Sequence, residues 1–202
     1  MSYQRKDARY RQAKAEGFRA RSAYKLIELD RRFRLLRPGA AVVDIGAWPG
    51  GWMQVAAERV GSLGRVVGID LVPVDPLPEA HASTLVGDVS DPSVLAAVLD
   101  QLGRRADVVL SDAAPKLSGV RARDEAACES LGGAVLDAVR QLLAKGGVLV
   151  MKTFMGSGHD ELLRRLREQF EQVRLARPET SRQGSAECYL VAAGFHAQSR
   201  CG

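Results

Sequence analysis

The sequence contains few of the residues that build disulfide frameworks and metal sites. Its 202 residues include three cysteines, Cys128, Cys188 and Cys201, an odd set without a Cys-x-x-Cys pair, and three scattered histidines. These counts exclude a disulfide-rich fold and a zinc ribbon, and they indicate no histidine-based metal site. We therefore expect a protein without a bound metal that folds in a reducing compartment.

Long apolar runs are missing as well. No segment approaches the roughly 20 consecutive apolar residues that span a bilayer, and the polar amino terminus lacks the apolar core of a signal peptide. Hydrophobic residues make up 46% of the chain and charged residues 26%, the composition of a globular protein. The length suits one domain. We expect a cytoplasmic monomer with no membrane partner.

Positive charge is concentrated at the start of the chain. Residues 1–37 hold twelve Lys/Arg and four Asp/Glu, a surplus of eight positive charges, whereas the whole chain carries +5 and its remainder therefore −3. A basic segment with interleaved aromatic residues, on a mildly acidic body, is typical of an RNA binder; a solvated terminus is the alternative. We divide the chain into a basic arm (1–20), a single domain (21–196) and a tail (197–202).

Hydrophobic periodicity predicts alternating helices and strands after the first helix. Apolar residues at three- and four-residue steps indicate helices, and short apolar runs indicate buried strands. The predicted helices cover residues 22–36, 52–60, 91–102, 125–143 and 160–170. The predicted strands cover residues 41–46, 64–70, 83–88, 106–112, 147–154, 172–176 and 187–193. This order predicts an α/β fold in which helices cover both faces of a largely parallel seven-stranded sheet.

The last strand is expected to break the parallel pattern. Residues 177–186 between the last two predicted strands form a loop without room for a packed crossover helix. Parallel neighbours need a crossover of a dozen or more residues, so the final strand should run antiparallel. A Rossmann-like sheet with an antiparallel final strand is the architecture of class I methyltransferases.

The loop after the first strand has the features of an adenosine-binding site. It reads GAWPGGW over residues 46–52, a glycine-rich turn where backbone can approach a ligand, but it lacks the GxGxxG order of a dinucleotide site and any Lys or Arg for phosphates. Asp70 ends the second strand, where an acid can hold ribose hydroxyls, and Asp88 ends the third. We predict S-adenosylmethionine as the cofactor, bound by Gly46, Gly50, Gly51, Trp52, Asp70, Asp88 and Asp112.

Four further charged residues form a candidate catalytic set. Asp112 and Lys152 end the parallel fourth and fifth strands, at the sheet edge where ligands bind. Because the final strand should run antiparallel, its first residue, Glu187, reaches the same edge. Lys25 lies on the first helix. The alternatives to a catalytic role are that Lys152 extends its ammonium from the sheet edge into water and that Glu187 is a surface residue of its strand.

Motifs in chain order carry a resemblance to a known family. They are RSAYK (21–25), VDIGAWPGGW (43–52), DLVP (70–73), SDAAP (111–115) with SG (118–119), MKTF (151–154), RPETSR (177–182) and SAECY (185–189). Over nearly its whole length the chain resembles the FtsJ/RrmJ (RlmE) ribose 2′-O-methyltransferases of ribosomal RNA. The Lys-Asp-Lys-Glu tetrad of that family falls on Lys25, Asp112, Lys152 and Glu187.

The resemblance implies an activity. It implies S-adenosylmethionine-dependent 2′-O-methylation of a uridine ribose in large-subunit ribosomal RNA, within the ribosomal particle. Lys152 would be the base that accepts the hydroxyl proton, or would orient the oxygen lone pair; Asp112 and Glu187 would orient Lys152, and Lys25 would position the hydroxyl. The alternatives are a 2′-O-methyltransferase of tRNA or another RNA, and a non-catalytic RNA-binding ribosome-assembly factor.

Three residues depart from the family pattern. Trp48 replaces a small residue in the glycine-rich loop, Ala113 replaces a common methionine, and Lys116 stands where asparagine is usual. None belongs to the tetrad. We therefore expect Trp48 to reshape the pocket for the methionine part of the cofactor and Lys116 to lie on a substrate loop, with an effect on substrate choice and not on the presence of activity.

Overall fold

The computed structural model describes residues 8–116, 118–154, 158–180 and 186–196. The predicted tail (197–202) and the first seven residues of the predicted arm lie outside this range. The described residues form six helices and seven strands, in the order α1 (Ala8–Ala15), α2 (Ala23–Phe33), β1 (Ala41–Ile45), α3 (Gly51–Val60), β2 (Arg65–Asp70), β3 (Ala82–Val86), α4 (Pro92–Leu102), β4 (Ala106–Ser111), α5 (Arg121–Leu142), β5 (Leu143–Phe154), α6 (His159–Arg167), β6 (Phe170–Ala176) and β7 (Glu187–Phe195). None of these helices combines the length and apolarity needed to cross a bilayer.

The strands of the described chain form a single seven-stranded sheet with the order β3-β2-β1-β4-β5-β7-β6. β1 pairs in parallel with β2 and β4, β2 with β3, and β4 with β5. β7 runs antiparallel to both of its neighbours, β5 and β6. The predicted seven-stranded sheet with an antiparallel last strand is therefore confirmed. Its strand order reverses between β1 and β4, and ligands bind beside such a reversal in open α/β sheets.

Helices cover both faces of the sheet because successive strand residues point to opposite sides. In β1, Val43 is buried in a core with Val98 of α4 and Val139 of α5. The preceding residue, Val42, is buried in a second core with Leu26 of α2. Two apolar layers thus hold the strands from both sides, and the loops at the carboxyl edge extend from a rigid base.

The predicted elements are present, but several of their ends differ. α2 ends at Phe33, before the predicted residue 36, because Arg34 adopts the left-handed conformation (φ 54°) and donates its backbone N–H to the carbonyl of Asp30. α6 ends at Arg167, and Phe170, assigned to a helix by periodicity, begins β6 instead. The side chain of Phe170 is buried against the sheet core in that position. Local periodicity does not distinguish a helix end from a short turn into a strand.

The predicted arm contains a helix, α1, that apolar periodicity did not indicate. After this helix the chain is tied to the domain. The carbonyl of Gly17 accepts a hydrogen bond from Gln54 Nε2 (3.0 Å), and the backbone N–H of Arg19 donates to Gln54 Oε1 (2.7 Å). The guanidinium of Arg19 donates to the carbonyl of Pro76 (2.7 Å). Residues 17–19 therefore pack on α3 and on the loop after β2, and the division of the chain at residue 20 stays a prediction.

Candidate active site

A cleft of about 440 Å³ opens at the carboxyl edge of the sheet, beside the reversal of strand order. Gly46, Asp70, Asp88 and Asp112, all predicted cofactor residues, line this cleft. Small-molecule sites commonly enclose roughly 300–1,000 Å³ and combine apolar walls with a few polar groups. Volume and lining therefore fit an adenosine-containing cofactor.

The glycine that begins the loop after β1 shapes the floor of the cleft. Gly46 has a positive φ of 78°, and a Cβ at this position would lie 2.7 Å from the Cβ of Ala113. The backbone N–H groups of Gly46 and Ala47 both donate to the carbonyl of Ile69, at 2.9 and 3.1 Å. Only glycine fits this approach, and it brings the loops after β1 and β4 close together beside the end of β2.

The carboxylates on the cleft wall are held by backbone groups. Asp70 accepts the N–H of Trp48 on Oδ2 (2.8 Å) and the N–H of Val72 on Oδ1 (3.0 Å). Asp88 accepts the hydroxyl (2.6 Å) and the backbone N–H (2.8 Å) of Ser90, and these two hydrogen bonds lower the pKa of Asp88. Each oxygen of Asp70 has one partner and keeps a free lone pair, whereas both hydrogen bonds to Asp88 fall on Oδ1 and leave Oδ2 available. Both acids can therefore accept hydrogen bonds from a ligand.

Three predicted cofactor residues are not brought to the wall of the cleft. Gly50 is the residue before α3 and has a φ of 105°, and a Cβ on Gly51 would lie 3.1 Å from the Cβ of Ala20. Trp52 is buried, with its indole N–H donating to the carbonyl of Ser22 (2.8 Å). These residues join α3 to the segment before α2, so we infer that they support the site from outside the cleft.

The four residues predicted to be catalytic form two ion pairs at the sheet edge. Nζ of Lys25 lies 2.6 Å from Oε1 of Glu187, and Nζ of Lys152 lies 3.1 Å from Oδ1 of Asp112. Lys152 also donates to the backbone carbonyl of Asp112. All four side chains are more than four-fifths buried. Among the described residues no His, Cys, Asp and Glu side chains group in threes or more as a metal site would require.

Tyr189 connects the two ion pairs, although it was not among the site residues predicted from sequence. Its hydroxyl accepts a hydrogen bond from Lys25 Nζ (3.1 Å) and donates one to Asp112 Oδ1 (2.7 Å). Burial, reinforced by the charges of Asp112 and Glu187, raises the pKa of Tyr189 far above its ordinary value, so the hydroxyl keeps its proton. The signal was present in the sequence: Glu187 and Tyr189 are two residues apart and share one face of β7.

Asp44 is a second residue that the sequence analysis did not assign. It lies inside β1, it is buried, and both of its carboxylate oxygens lack a hydrogen-bond partner in the described part of the chain. Burial, together with the negative charges of Asp112 and Asp70, raises its pKa well above the ordinary value. Asp44 is therefore expected to hold a proton to higher pH than an exposed aspartate. An acid within the apolar run of residues 42–45 was the available signal.

All three departures from the family pattern lie at this cleft. Trp48, Ala113 and Lys116 line it, and Ala113 is the residue that packs against Gly46. Trp48 is an exposed large apolar side chain. The three residues that the resemblance marked as departures thus line the cleft in which the cofactor is predicted to bind.

The chain is similar in sequence to known methyltransferases. Residues 18–195 match the model of the family described as FtsJ-like methyltransferase. The protein named Ribosomal RNA large subunit methyltransferase E of Stutzerimonas stutzeri (strain A1501) is 46% identical over 186 residues, covering 92% of this chain and 89% of that protein. The protein of the same name from Methanothermobacter thermautotrophicus (strain Delta H) is 39% identical over 196 residues, covering 97% and 93%.

Solved structures show the same fold. A Plasmodium falciparum protein described as a ribosomal RNA methyltransferase has a TM-score of 0.78 and 29% identity, covering 88% of this chain and 98% of that one. Aeropyrum pernix fibrillarin, solved with natively bound S-adenosyl-L-methionine, has a TM-score of 0.64 at 17% identity, covering 85% and 76%. The second similarity concerns the fold alone.

Proposed function

Because the chain belongs to the FtsJ-like methyltransferase family, we propose that it transfers a methyl group from S-adenosylmethionine to the 2′-hydroxyl of a uridine ribose in large-subunit ribosomal RNA. One observation carries this proposal. Asp112 lines the cofactor cleft and also bonds to Lys152 and Tyr189, so the cleft and the buried ion pairs share a wall. A methyl donor in the cleft would therefore lie beside the group of side chains that can handle a proton.

The cleft residues fit the charge and the hydroxyls of the proposed cofactor. S-adenosylmethionine supplies an electrophilic methyl group on a sulfonium cation. Asp70 and Asp88 are acceptors for ribose hydroxyls or an adenine edge, and Asp112 places a carboxylate on the same wall. A partly buried carboxylate attracts a nearby cation more strongly than one in open water does.

Lys152 is the proposed base. Two acceptors of Asp112, its backbone carbonyl and Oδ1, take two of the positions around the amine of Lys152. A neutral amine has two N–H groups and one lone pair, so these contacts leave one position for the proton of the substrate hydroxyl. In the protonated form the same position would donate to the hydroxyl oxygen and orient its lone pair. In both cases Asp112 fixes the direction of the amine.

Lys25 is the proposed positioning and charge-stabilising group. Its ammonium is held by Glu187 and Tyr189, so it needs little reorganisation when negative charge develops on a hydroxyl oxygen at the tetrad. Fixed partners also keep the reacting groups oriented, which is a large part of catalysis in a displacement reaction. Because Glu187 pairs with Lys25, we assign Glu187 and Tyr189 as positioning residues that act through Lys25 and Asp112. This assignment corrects the expectation that Glu187 would orient Lys152, a role that the ion pair of Lys152 gives to Asp112.

Two observations support the proposal of an RNA substrate: the names of the relatives and the positive charge of the arm. Two relatives that cover nine-tenths or more of this chain are named as large-subunit ribosomal RNA methyltransferases. The basic arm (1–20) runs directly into α2, where Lys25 lies. An RNA phosphate backbone held by the arm would thus be adjacent to the tetrad. We propose ribosomal RNA within the large subunit as the substrate.

Mapping 2′-O-methyl marks in ribosomal RNA, with and without the protein, tests this function. We expect one uridine in large-subunit RNA to lose its mark when the protein is absent and to regain it when the purified protein and S-adenosylmethionine are added to the unmodified subunit. A protein-dependent mark in tRNA, and not in ribosomal RNA, would identify tRNA as the substrate. Normal RNA binding without any methyl transfer would favour the assembly factor.

A further inference from the structure

Three large apolar side chains are exposed at the mouth of the cofactor cleft. Trp48 is 59% exposed, Leu71 70% and Val72 50%, and all three line the cleft. Single exposed apolar residues are common on protein surfaces, but a cluster at a binding cleft usually marks a contact with a ligand. No part of the proposed mechanism uses this cluster.

Backbone hydrogen bonds place the cluster around one carboxylate. Asp70 accepts the N–H of Trp48 on one oxygen and the N–H of Val72 on the other. Trp48 and Val72 are thus anchored on either side of the acid that we assign to the ribose hydroxyls. A sugar held by Asp70 would lie within reach of the side chains that flank it.

The place of Trp48 in the fold indicates which ligand its side chain contacts. Trp48 follows β1 and is hydrogen-bonded to the end of β2. Of the tetrad residues, Asp112 follows β4, Lys152 lies near the end of β5 and Glu187 begins β7. In the strand order these lie on opposite sides of the β1–β4 reversal. Trp48 is therefore on the cofactor side, away from the side chains assigned to the RNA hydroxyl.

We propose that the indole of Trp48 is an aromatic wall that packs on the adenosyl group of S-adenosylmethionine. This inference rests on the proposed function, because it takes Asp70 as the ribose ligand. The adenosyl group offers flat faces with which an indole stacks, whereas the methionine portion is charged and suits the carboxylate of Asp112. The family pattern that the chain resembles has a small side chain at this position.

Tryptophan fluorescence can report on this contact directly. The chain contains two tryptophans, and the second, Trp52, is 3% exposed. A change in the fluorescence of a solvent-exposed tryptophan would therefore come from Trp48. We expect S-adenosylhomocysteine and 5′-methylthioadenosine to quench the emission and shift it to shorter wavelength, and methionine to leave it unchanged. Trp48→Phe should abolish the response, because the buried Trp52 does not touch the ligand.

Calorimetry supplies the affinities. Trp48→Ala should weaken the binding of S-adenosylhomocysteine by about tenfold, the order expected for one aromatic stacking contact. Trp48→Phe retains a stacking face and should bind within about threefold of wild type. The matched control is Leu63→Ala, which truncates an 89% exposed apolar residue in the turn before β2, at the opposite edge of the sheet. Its affinity should equal that of wild type.

The outcomes separate this inference from the proposed function. Tight S-adenosylhomocysteine binding with unchanged emission, and with equal affinity for Trp48→Ala, would overturn the aromatic wall and leave the methyltransferase proposal standing. A change in emission with RNA but not with S-adenosylhomocysteine would also overturn it, in favour of a nucleobase contact. Failure of the folded wild-type protein to bind S-adenosylhomocysteine would contradict the proposed function itself.

Discussion

Tyr189→Phe removes a hydroxyl that joins the two ion pairs of the site. The hydroxyl accepts from Lys25 Nζ at 3.1 Å and donates to Asp112 Oδ1 at 2.7 Å. The aromatic ring is kept, so its packing with Trp52, at 5.7 Å between ring centroids, should persist. The substitution thus tests hydrogen bonding with little change in volume.

The expected loss of stability follows from the partners that remain. A hydrogen bond to a charged group contributes about 1.5–3 kcal/mol. Lys25 keeps Glu187, and Asp112 keeps Lys152, so we expect a loss near the value of one such bond, about 2–3 kcal/mol. For a chain of this size, 1 kcal/mol corresponds to roughly 2–4 °C in Tm, which gives a decrease of about 4–12 °C.

Activity should decrease without loss of the cofactor. Tyr189 is not part of the cleft wall, so calorimetry should give the wild-type affinity for S-adenosylhomocysteine. Because Lys25 and Asp112 would lose their fixed orientation, kcat should decrease by about 10- to 100-fold, equivalent to about 1.4–2.8 kcal/mol of barrier.

Tyr24→Phe is the matched control for this prediction. It deletes an exposed hydroxyl bonded to Glu16 at 2.7 Å, and it should lower the unfolding free energy by less than about 1 kcal/mol with no effect on kcat. If Tyr189→Phe retained the Tm and kcat of wild type, the hydroxyl would not connect the ion pairs, and our assignment of Tyr189 would be refuted.

Three further predictions concern cofactor binding, pH dependence and RNA binding. Asp70→Ala should weaken S-adenosylmethionine binding by about 1.5–3 kcal/mol in calorimetry, since a charge-assisted contact is lost, and an unchanged affinity in the folded variant would mean that the ribose site lies elsewhere. Asp44 binds its proton more tightly in the folded than in the unfolded protein, so its contribution to stability is present below its unfolded pKa and decreases as pH rises towards its folded pKa. Asp44→Asn should therefore gain stability over wild type in urea unfolding as the pH rises above the ordinary pKa of an aspartate, by at most about 1.4 kcal/mol per pH unit, and a constant difference would exclude this titration. Deleting residues 1–16 removes five basic residues but spares Gly17 and Arg19, and it should leave cofactor affinity intact while lowering the slope of log RNA affinity against log salt by about 0.7 per lost phosphate contact; an unaltered slope would make the arm a solvated terminus.

Topology made part of the site predictable from sequence. Parallel strands end at one edge of the sheet, so Asp70 and Asp112 could be placed on a common cleft without knowledge of any contact. The antiparallel final strand, inferred from a short loop, brought Glu187 to the same edge. Both placements depend on strand direction, which follows from the presence or absence of a crossover helix between consecutive strands.

Side-chain partners could not be predicted in the same way. The indole of Trp52 bonds to the carbonyl of Ser22, thirty residues earlier, and this contact directs it away from the cleft although the loop motif favours a ligand contact. The link formed by Tyr189 depends on the position of β7 between β5 and β6 in the sheet and on the reach of Lys25 from α2. The pKa of Asp44 depends on burial and on two carboxylates from other strands. Such properties arise from neighbours that are distant in sequence, and no local pattern specifies them.

The rate of methyl transfer by Lys152→Ala tests the central claim most directly. A base acts on the reacting proton and contributes little to ground-state binding, so this variant should bind S-adenosylhomocysteine and RNA nearly as wild type does. We expect the rate of methyl transfer to the mapped nucleotide to decrease by about 10²–10⁴-fold or more. Lys152→Arg should be inactive as well, because a guanidinium keeps its proton at neutral pH. Transfer by Lys152→Ala at a rate near that of wild type would contradict the assignment of 2′-O-methylation to this tetrad.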